Sequence, residues 1–438
     1  MRLTYSAGTL AVLACIIELV DAGETLKKLA LEVGFDLVGI APAGAAPGLA
    51  FARQWVEAGY GGEMRYLGNP KRDDPRLILP SVRSVVCLGL LYNAPLPYST
   101  ECGKAEGEKA KDGDQGQPSN SQRQEDGSEP RGWISRYAWG RDYHEVMRGK
   151  LERLRKEMEA LAPGVETRVY VDTGAVVERV FARLSGTGWV GKNTCLINQE
   201  KGSWFFLGVI LSNLALKPDL PAPDRCGSCT RCIEACPTGA LTQPYVMDAS
   251  RCIAYLTIEL KGSIPEEFRP AIGANVFGCD ICQDVCPWNA VSHQPPAISG
   301  QRRKRRGAAT TNEPEFQPLD LKLGPPYGPH EPHDLQHPTA DADRIPNHES
   351  RTLDSEVRIS LFNPALRALA SLSEEDFRRA FSHSPIKRAK FRGWLRNLCV
   401  AMGNSGQPSF IPWLEQAAQH HDELVREHAH WALEKLRG

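Results

Sequence analysis

The chain has 438 residues, 42% of them apolar, and its 52 basic and 53 acidic side chains leave a net charge of −1. That length suits two or three domains around a sizeable core, and that apolar content excludes a wholly disordered chain. The charge balance excludes a globally basic nucleic-acid binder but leaves room for a local basic face.

Leu10–Val20 is an apolar run broken by Glu18. It falls short of the roughly 20 residues that span a bilayer. Arg2 before it and Ala22-Gly23 after it permit a signal-peptide reading, but the basic region is weak and no twin-Arg pair is present. We read 1–22 as an N-terminal extension. Glu24–Gly34 reads as an amphipathic helix with Leu26, Leu29, Leu31 and Val33 on its apolar side, followed by a strand at Phe35–Ile40. Ser84–Leu91 is continuously apolar and of strand length, the pattern of a strand covered on both faces. Residues 101–131 are polar and charged and offer too little apolar surface to offset ordering, so a disordered insertion is expected. Tyr143–Leu161 has helical periodicity and stops at Pro163-Gly164. A strand at Arg168–Val171, a helix at Val176–Leu184 and a buried strand at Trp204–Leu211 follow. The alternation predicts an α/β domain over 23–215.

A cysteine-rich module follows over 216–292. Residues 293–352 are rich in Pro, His and charge, including the run Arg302–Arg306, and read as a second disordered insertion. From 353 to 438 the pattern is helical. Val425, Ala429, Ala432, Leu433 and Leu436 share one helix face, and the Asn404–Gly406 turn with Pro408 separates that helix from its predecessors, which suggests HEAT-like hairpins. The fold expected overall is α+β.

Of 13 cysteines, eight lie between Cys226 and Cys286. Cys226-x2-Cys229-x2-Cys232-x3-Cys236-Pro is the bacterial ferredoxin run, and Cys279-x2-Cys282-x3-Cys286-Pro is a shorter second version. Three loop thiolates wrap one cube while the Cys before Pro ligates the other. Cluster 1 would take Cys226, Cys229, Cys232 and Cys286; cluster 2 would take Cys236, Cys252, Cys279 and Cys282. Structural zinc is the alternative for paired CxxC motifs, but the full spacing favours two 4Fe–4S clusters. Cys15, Cys87, Cys102, Cys195 and Cys399 read as spectators. Adjacent clusters carry electrons, so the place where substrate reacts lies elsewhere. Asp172, at a strand end before a helix, is one candidate: desolvation there would raise its pKa and make it a proton donor, whereas a helix N-cap is the plainer reading. The Gly186–Gly191 loop with Lys192 lacks the Walker pattern but would let backbone N–H groups approach a cofactor.

In combination, FDLVGIAPA (35–43), ISRYAWGRDYH (134–144), VDTGAVVERVFA (171–182), GTGWVGKNT (186–194), the two cysteine runs, GNSGQP (403–408) and VREHAHWALEKL (425–436) resemble the epoxyqueuosine reductases. The resemblance implies a cobalamin bound between the α/β domain and the ferredoxin-like module. It implies two-electron deoxygenation of epoxyqueuosine to queuosine at the wobble position of tRNA, with Asp172 as proton donor. It places Arg136, Asp142, Tyr143, His144, Lys192, Asn193, Thr194, Asn198 and Tyr255 on the cofactor side. It argues against His144 as a cobalt ligand, leaving it a hydrogen-bonded polar residue. The basic cluster Arg378, Arg379, Lys387, Arg388, Lys390, Arg392 and Arg396 would meet RNA phosphates, with an intrahelically paired solvated face as the alternative. An external low-potential donor, ferredoxin- or flavodoxin-like, a cytoplasmic location and a monomer complete the expectation. Two rivals share parts of the pattern: a reductive dehalogenase, which also joins cobalamin to two clusters, and a plain two-cluster electron carrier.

Overall fold

The computed structural model describes residues 22–102, 129–289, 309–323 and 357–438. The run Leu10–Val20, nearly all of the first polar insertion and the run Arg302–Arg306 lie outside the described residues. Residues 22–33 form α1. Its buried apolar side chains are Leu26, Ala30 and Val33, whereas Leu31, expected on the apolar side, is 53% exposed. Five residues beyond Leu26 the helix has turned about 140° past it, so Leu31 faces water.

Then come β1 (Leu37–Pro42), α2 (Pro47–Glu57), β2 (Ser84–Leu91), β3 (Trp133–Ile134), α3 (Tyr143–Leu161), β4 (Thr167–Tyr170), α4 (Glu178–Leu184), β5 (Trp189–Val190), β6 (Leu196–Ile197) and β7 (Phe205–Ser212). The central sheet runs β1-β2-β7-β4, and every neighbouring pair is antiparallel. The strand–helix alternation therefore yields helices on an antiparallel sheet, not parallel crossover units. β2 shows why the sequence reads apolar without a break. Val86, Leu88 and Leu90 face a layer with Leu26, Ala30, Met147, Leu151 and Leu154 of α1 and α3. Val85, Cys87 and Leu91 face the opposite layer, with Leu49 of α2 and Phe181 and Ala182 of α4. With both faces covered, the period-2 alternation buries every position.

The cysteine module contributes α5 (Arg231–Glu234), α6 (Arg269–Ile272), β8 (Asn275–Phe277) and α7 (Ile281–Asp284), and β8 pairs parallel with β3. Beyond it the structure corrects one expectation. Residues 309–323, placed in the second disordered insertion, are built into the fold. Thr311 N donates to Asn93 O, Arg141 N donates to Glu315 O, and Lys150 pairs with Glu313 at 2.9 Å. Phe316 is buried, and β9 (Asp320–Leu323) pairs antiparallel with β10 (Val357–Ser360). Phe316 and Leu321 supply the apolar surface that the surrounding polar composition masked.

The C-terminal part is α8 (Leu366–Ala370), α9 (Glu374–Ala380), α10 (Lys390–Ser405), α11 (Ile411–Ala417) and α12 (Glu423–Arg437). Val425, Ala429, Ala432 and Leu433 are buried, and Leu436 packs at the margin. A Cβ at Gly403 would stand 2.9 Å from Ala432 Cα, so α10 and α12 touch backbone to backbone there. Among the described residues no helix is long and apolar enough to cross a membrane.

Candidate active site

The eight module cysteines fall into two electrostatic neighbourhoods. Cys286 feels Cys195, which also acts on Cys252 and Cys282, and then Cys232 and Cys226, while Cys232 feels Cys226 and Cys229. Cys279 feels Cys252 and Cys236, and Cys282 feels Cys279 and Cys252. Burial, reinforced by neighbouring thiolates, pushes Cys232 up to about 11 and Cys286 up to about 12. Thiolates gathered in this way coexist only with cations among them, and an iron–sulfur core meets that requirement. Among the described residues, no group of three His, Cys, Asp or Glu side chains has the geometry of a single-ion site.

The loop after β5 braces these thiols from behind. Lys192 Nζ donates to the carbonyls of Gly227 and Cys229 at 2.7 and 2.9 Å. Asn193 Nδ2 donates to Cys282 O at 3.1 Å, and Asn198 Nδ2 donates to Thr187 O at 2.7 Å. The Gly-rich segment answers to neighbouring chain: a Cβ at Gly188 would stand 2.4 Å from Ile197 O. Sequence reasoning passed over one residue here. Cys195, read as a spectator, shares a hydrogen bond with Cys282, and Arg179 Nη1 donates to the carbonyl of Thr194 beside it at 2.6 Å. Cys87 and Cys399 are buried among apolar side chains, as spectators should be.

Arg179 belongs to α4, and the turn leading into that helix carries Asp172. Thr173 N donates to Val171 O around Asp172, whose φ is +52°, an uncommon conformation for a residue with a side chain. Gly174 must be glycine, because a Cβ would stand 2.1 Å from Tyr170 Cδ1. Arg72 Nη1 donates to Gly174 O at 3.1 Å and ties the turn to the 70–72 segment. The N-cap of α4 is Val177, so Asp172 caps nothing. Protein atoms crowd its carboxylate on one side, yet 58% of the side chain is open to solvent.

Two side chains of α3, His144 and Tyr143, hold that carboxylate, and the α3 cap, Asp142, holds His144. His144 Nε2 lies 3.3 Å from Asp172 Oδ2, and His144 Nδ1 lies 2.7 Å from Asp142 Oδ1. The Tyr143 hydroxyl also hydrogen-bonds Asp172, and its ring is stacked between His144 and Phe206 at 4.0 and 4.2 Å. Lys387 reaches Asp142 Oδ2 at 2.8 Å. The expectation that desolvation raises the Asp172 pKa is corrected. Burial does push it up, but the hydrogen bond and charge of His144, with Tyr143, more than offset that, and it sits below the ordinary value. His144 is driven the other way: burial lowers it, Asp142 and Asp172 raise it, and it settles at about 9. A second carboxyl, missed in the sequence, lies nearby. Burial pushes Glu178 up to about 8, and its Oε1 has no partner.

The remaining nominated residues separate by exposure. Arg136 is 1% exposed and donates to the carbonyls of Ala94, Leu96 and Pro97, with Trp139 4.4 Å away. The Tyr255 hydroxyl accepts from Glu63 N at 2.9 Å. Lys387, Arg388, Lys390 and Arg392 are exposed, and Arg388 pairs with Glu259 at 2.8 Å beside Asp172. Arg396 is a correction: at 1% exposure, with its guanidinium on the carbonyls of Leu256, Leu260 and Gly262, it cannot reach a phosphate. Arg378 and Arg379 pair within α9 with Glu374 and Asp376, the solvated-face reading. A surface hollow of about 690 Å³ between α3 and β4, with Glu152, Arg155 and Arg168 in its wall, holds none of these residues.

The family model described as "Epoxyqueuosine reductase QueG, DUF1730" matches residues 72–173, and the "4Fe-4S double cluster binding domain" matches 225–289. The epoxyqueuosine reductase of Pseudomonas aeruginosa is 36% identical over 421 residues, covering 94% of both chains. That of Gloeobacter violaceus is 38% identical, covering 87% of this chain and 96% of its own. A crystal structure of selenomethionine-labelled epoxyqueuosine reductase superposes with a TM-score of 0.69 at 27% identity, covering 94% and 90% of the two chains. A structure of epoxyqueuosine reductase with an epoxyqueuosine-modified tRNA-Tyr stem loop gives 0.69 at 27% identity, covering 94% and 89%. With such identity along nearly its whole length, the chain belongs to the epoxyqueuosine reductases, a family of oxidoreductases.

Proposed function

We propose that this chain reduces epoxyqueuosine to queuosine at the wobble position of a tRNA anticodon loop, with electrons passing through two 4Fe–4S clusters to a cobalamin and with Asp172 protonating the departing oxygen. The observation that carries this reading is the continuity between two chemistries. The turn that carries Asp172 runs into α4 and Arg179, which leads through a hydrogen bond to Thr194, and through Cys195 to Cys282. The two thiol neighbourhoods support the ligand sets Cys226, Cys229, Cys232 with Cys286, and Cys236, Cys252, Cys279 with Cys282.

The residues present would suit a cobalamin that takes no ligand from His144. Both ring nitrogens of His144 are engaged by carboxylates, so this imidazole is not left to coordinate a metal. Cobalamin, when bound, would supply a strongly reducing cobalt centre to the strained ring. The protein would do the rest. Asp172, Tyr143 and His144 would face the reacting oxygen, while Arg136, Lys192, Asn193 and Asn198 would hold the surrounding loops from behind, with Thr194 and Tyr255 between Asp172 and the clusters. Lys387, Arg388, Lys390 and Arg392 would take phosphates of the stem loop at the rim. In this reading 23–215 is the cobalamin domain, 216–292 the ferredoxin-like module and 353–438 a HEAT-like RNA-binding part.

Nucleoside analysis of tRNA from a deletion strain tests it. Epoxyqueuosine should accumulate, the wild-type gene should restore queuosine, and Asp172→Asn should not. Queuosine at normal level in the deletion strain, with no second such enzyme present, refutes the assignment. A reconstituted protein that binds no corrin refutes the cobalamin part separately.

A further inference from the structure

Removing an epoxide oxygen as water consumes two electrons and two protons: two C–O bonds break, one C=C π bond forms, and two O–H bonds form on the released oxygen. A single carboxyl group holds one proton. Asp172, if it serves the oxygen as proposed above, must therefore be recharged within each turnover. The imidazole of His144 is in contact with it. We propose that His144 is the proton relay that recharges Asp172, with Asp142 and Lys387 as its positioning residues.

The relay is a chain of contacts: Lys387 Nζ to Asp142 Oδ2 at 2.8 Å, Asp142 Oδ1 to His144 Nδ1 at 2.7 Å, His144 Nε2 to Asp172 Oδ2 at 3.3 Å. Asp142 fixes the tautomer. Its Oδ1 also accepts from the backbone N–H of His144 at 3.1 Å, so ring and backbone are oriented together. With Nδ1–H held by Asp142, Nε2 carries the proton that moves. In the step, Nε2–H breaks and Oδ2–H forms on Asp172; Oδ2–H then breaks and O–H forms on the substrate oxygen. The imidazole regains its proton from water, which reaches a side chain 24% exposed. The two electrons are those of the reduction proposed above.

The proton inventory agrees with this order. The Asp172 carboxyl lies below its ordinary range and His144 settles at about 9, so near neutrality the proton waits on the ring and the carboxylate is empty. The charged and titratable groups around His144 are Asp142 and Tyr143 on its own element, Asp172 from the turn after β4, and Lys387 from the 385–389 segment, with Arg388 and its partner Glu259 behind Asp172. The carboxylates on both sides keep the ring charged, and Lys387 moderates Asp142.

The holoenzyme's pH–rate profile tests the relay. Wild-type kcat should stay level through neutrality and fall above about pH 9, where the ring loses its proton. His144→Gln keeps a donor toward Asp172 but carries no transferable proton. Its kcat should fall about 100-fold at neutral pH, with the descending limb moved below neutrality and KM for the RNA unchanged. Asp142→Asn should place the limb between the two. Added imidazole should restore His144→Ala at least tenfold. A wild-type profile in His144→Gln overturns the relay, and so does a loss equal at every pH with no imidazole rescue. Asp172→Asn separates the two claims: activity retained there sinks the assignment of Asp172, whereas loss there with a wild-type His144→Gln profile sinks the relay alone.

Discussion

At the scale of single residues, buried charge does structural work around the site. The guanidinium of Arg136 lies among the rings of Tyr98, Trp139 and Trp204 and serves three carbonyls. Lysine keeps the charge but loses the planar fork, leaving buried carbonyls unpaired. Arg136→Lys should destabilise the fold by on the order of 3 kcal/mol, read as a lower urea midpoint at unchanged slope. An unchanged midpoint would show that water replaces the lost bonds. The sequence pointed to Asp172 by its place after a strand, and to Arg136 and His144 only through family resemblance. It could not give their chemistry. The partner that lowers Asp172 lies 28 positions away on α3, and Cys195 meets Cys282 only once the β5–β6 hairpin packs on the cysteine module. Local pattern holds no record of such contacts.

Among elements, the joint between the C-terminal helices and the cysteine module decides the response to acid. His428 of α12 is fully buried and neutral: Nδ1–H donates to Leu424 O at 2.7 Å, and Nε2 accepts from Ile264 N at 3.2 Å. Burial, with Arg269 nearby, lowers it to about 4 from 6.5. A base with a depressed folded pKa contributes stability that is complete above the unfolded value. That stability is lost as pH falls from about 6.5 toward 4. Urea midpoints should therefore drop across that window, and His428→Gln should flatten the drop; an equal slope in both proteins would exclude His428 as the sensor. The same joint separates two kinds of arginine. Arg396→Ala should lower the urea midpoint strongly because Leu256, Leu260 and Gly262 lose their donor, whereas Arg392→Ala should leave the midpoint nearly unchanged and weaken stem-loop binding with a shallower salt dependence. Sequence alone grouped these residues because both lie in one basic stretch, and only the position of α10 tells them apart. Element existence was legible: β2 and α3 fall where their patterns put them, while β4 and β7 shift by one residue. Pairing direction was not, because alternation along the chain is the same for parallel and antiparallel sheets.

For the molecule as a whole, stability divides unevenly. The sheet and its two helix layers form a dense core, but α5, α6 and α7 have four residues each, too few to hold themselves. If the clusters are the module's staples, stripping iron under reducing conditions should expose amides across 225–289 to rapid hydrogen exchange while β2 and β7 remain protected. Equal protection before and after iron removal would show that the polypeptide alone sets the module.

The pairing of β9 with β10 has a practical corollary. Four residues on each side are paired, so Leu323 and Val357, which flank residues 324–356, are fixed next to each other. Closing a longer loop between fixed ends adds only about 0.6 kcal/mol per doubling of its length. This is therefore a place to graft a reporter domain whose own termini lie close together. A fluorescent fusion inserted there should leave thermal stability within a few degrees of the parent, which a melting curve would establish directly.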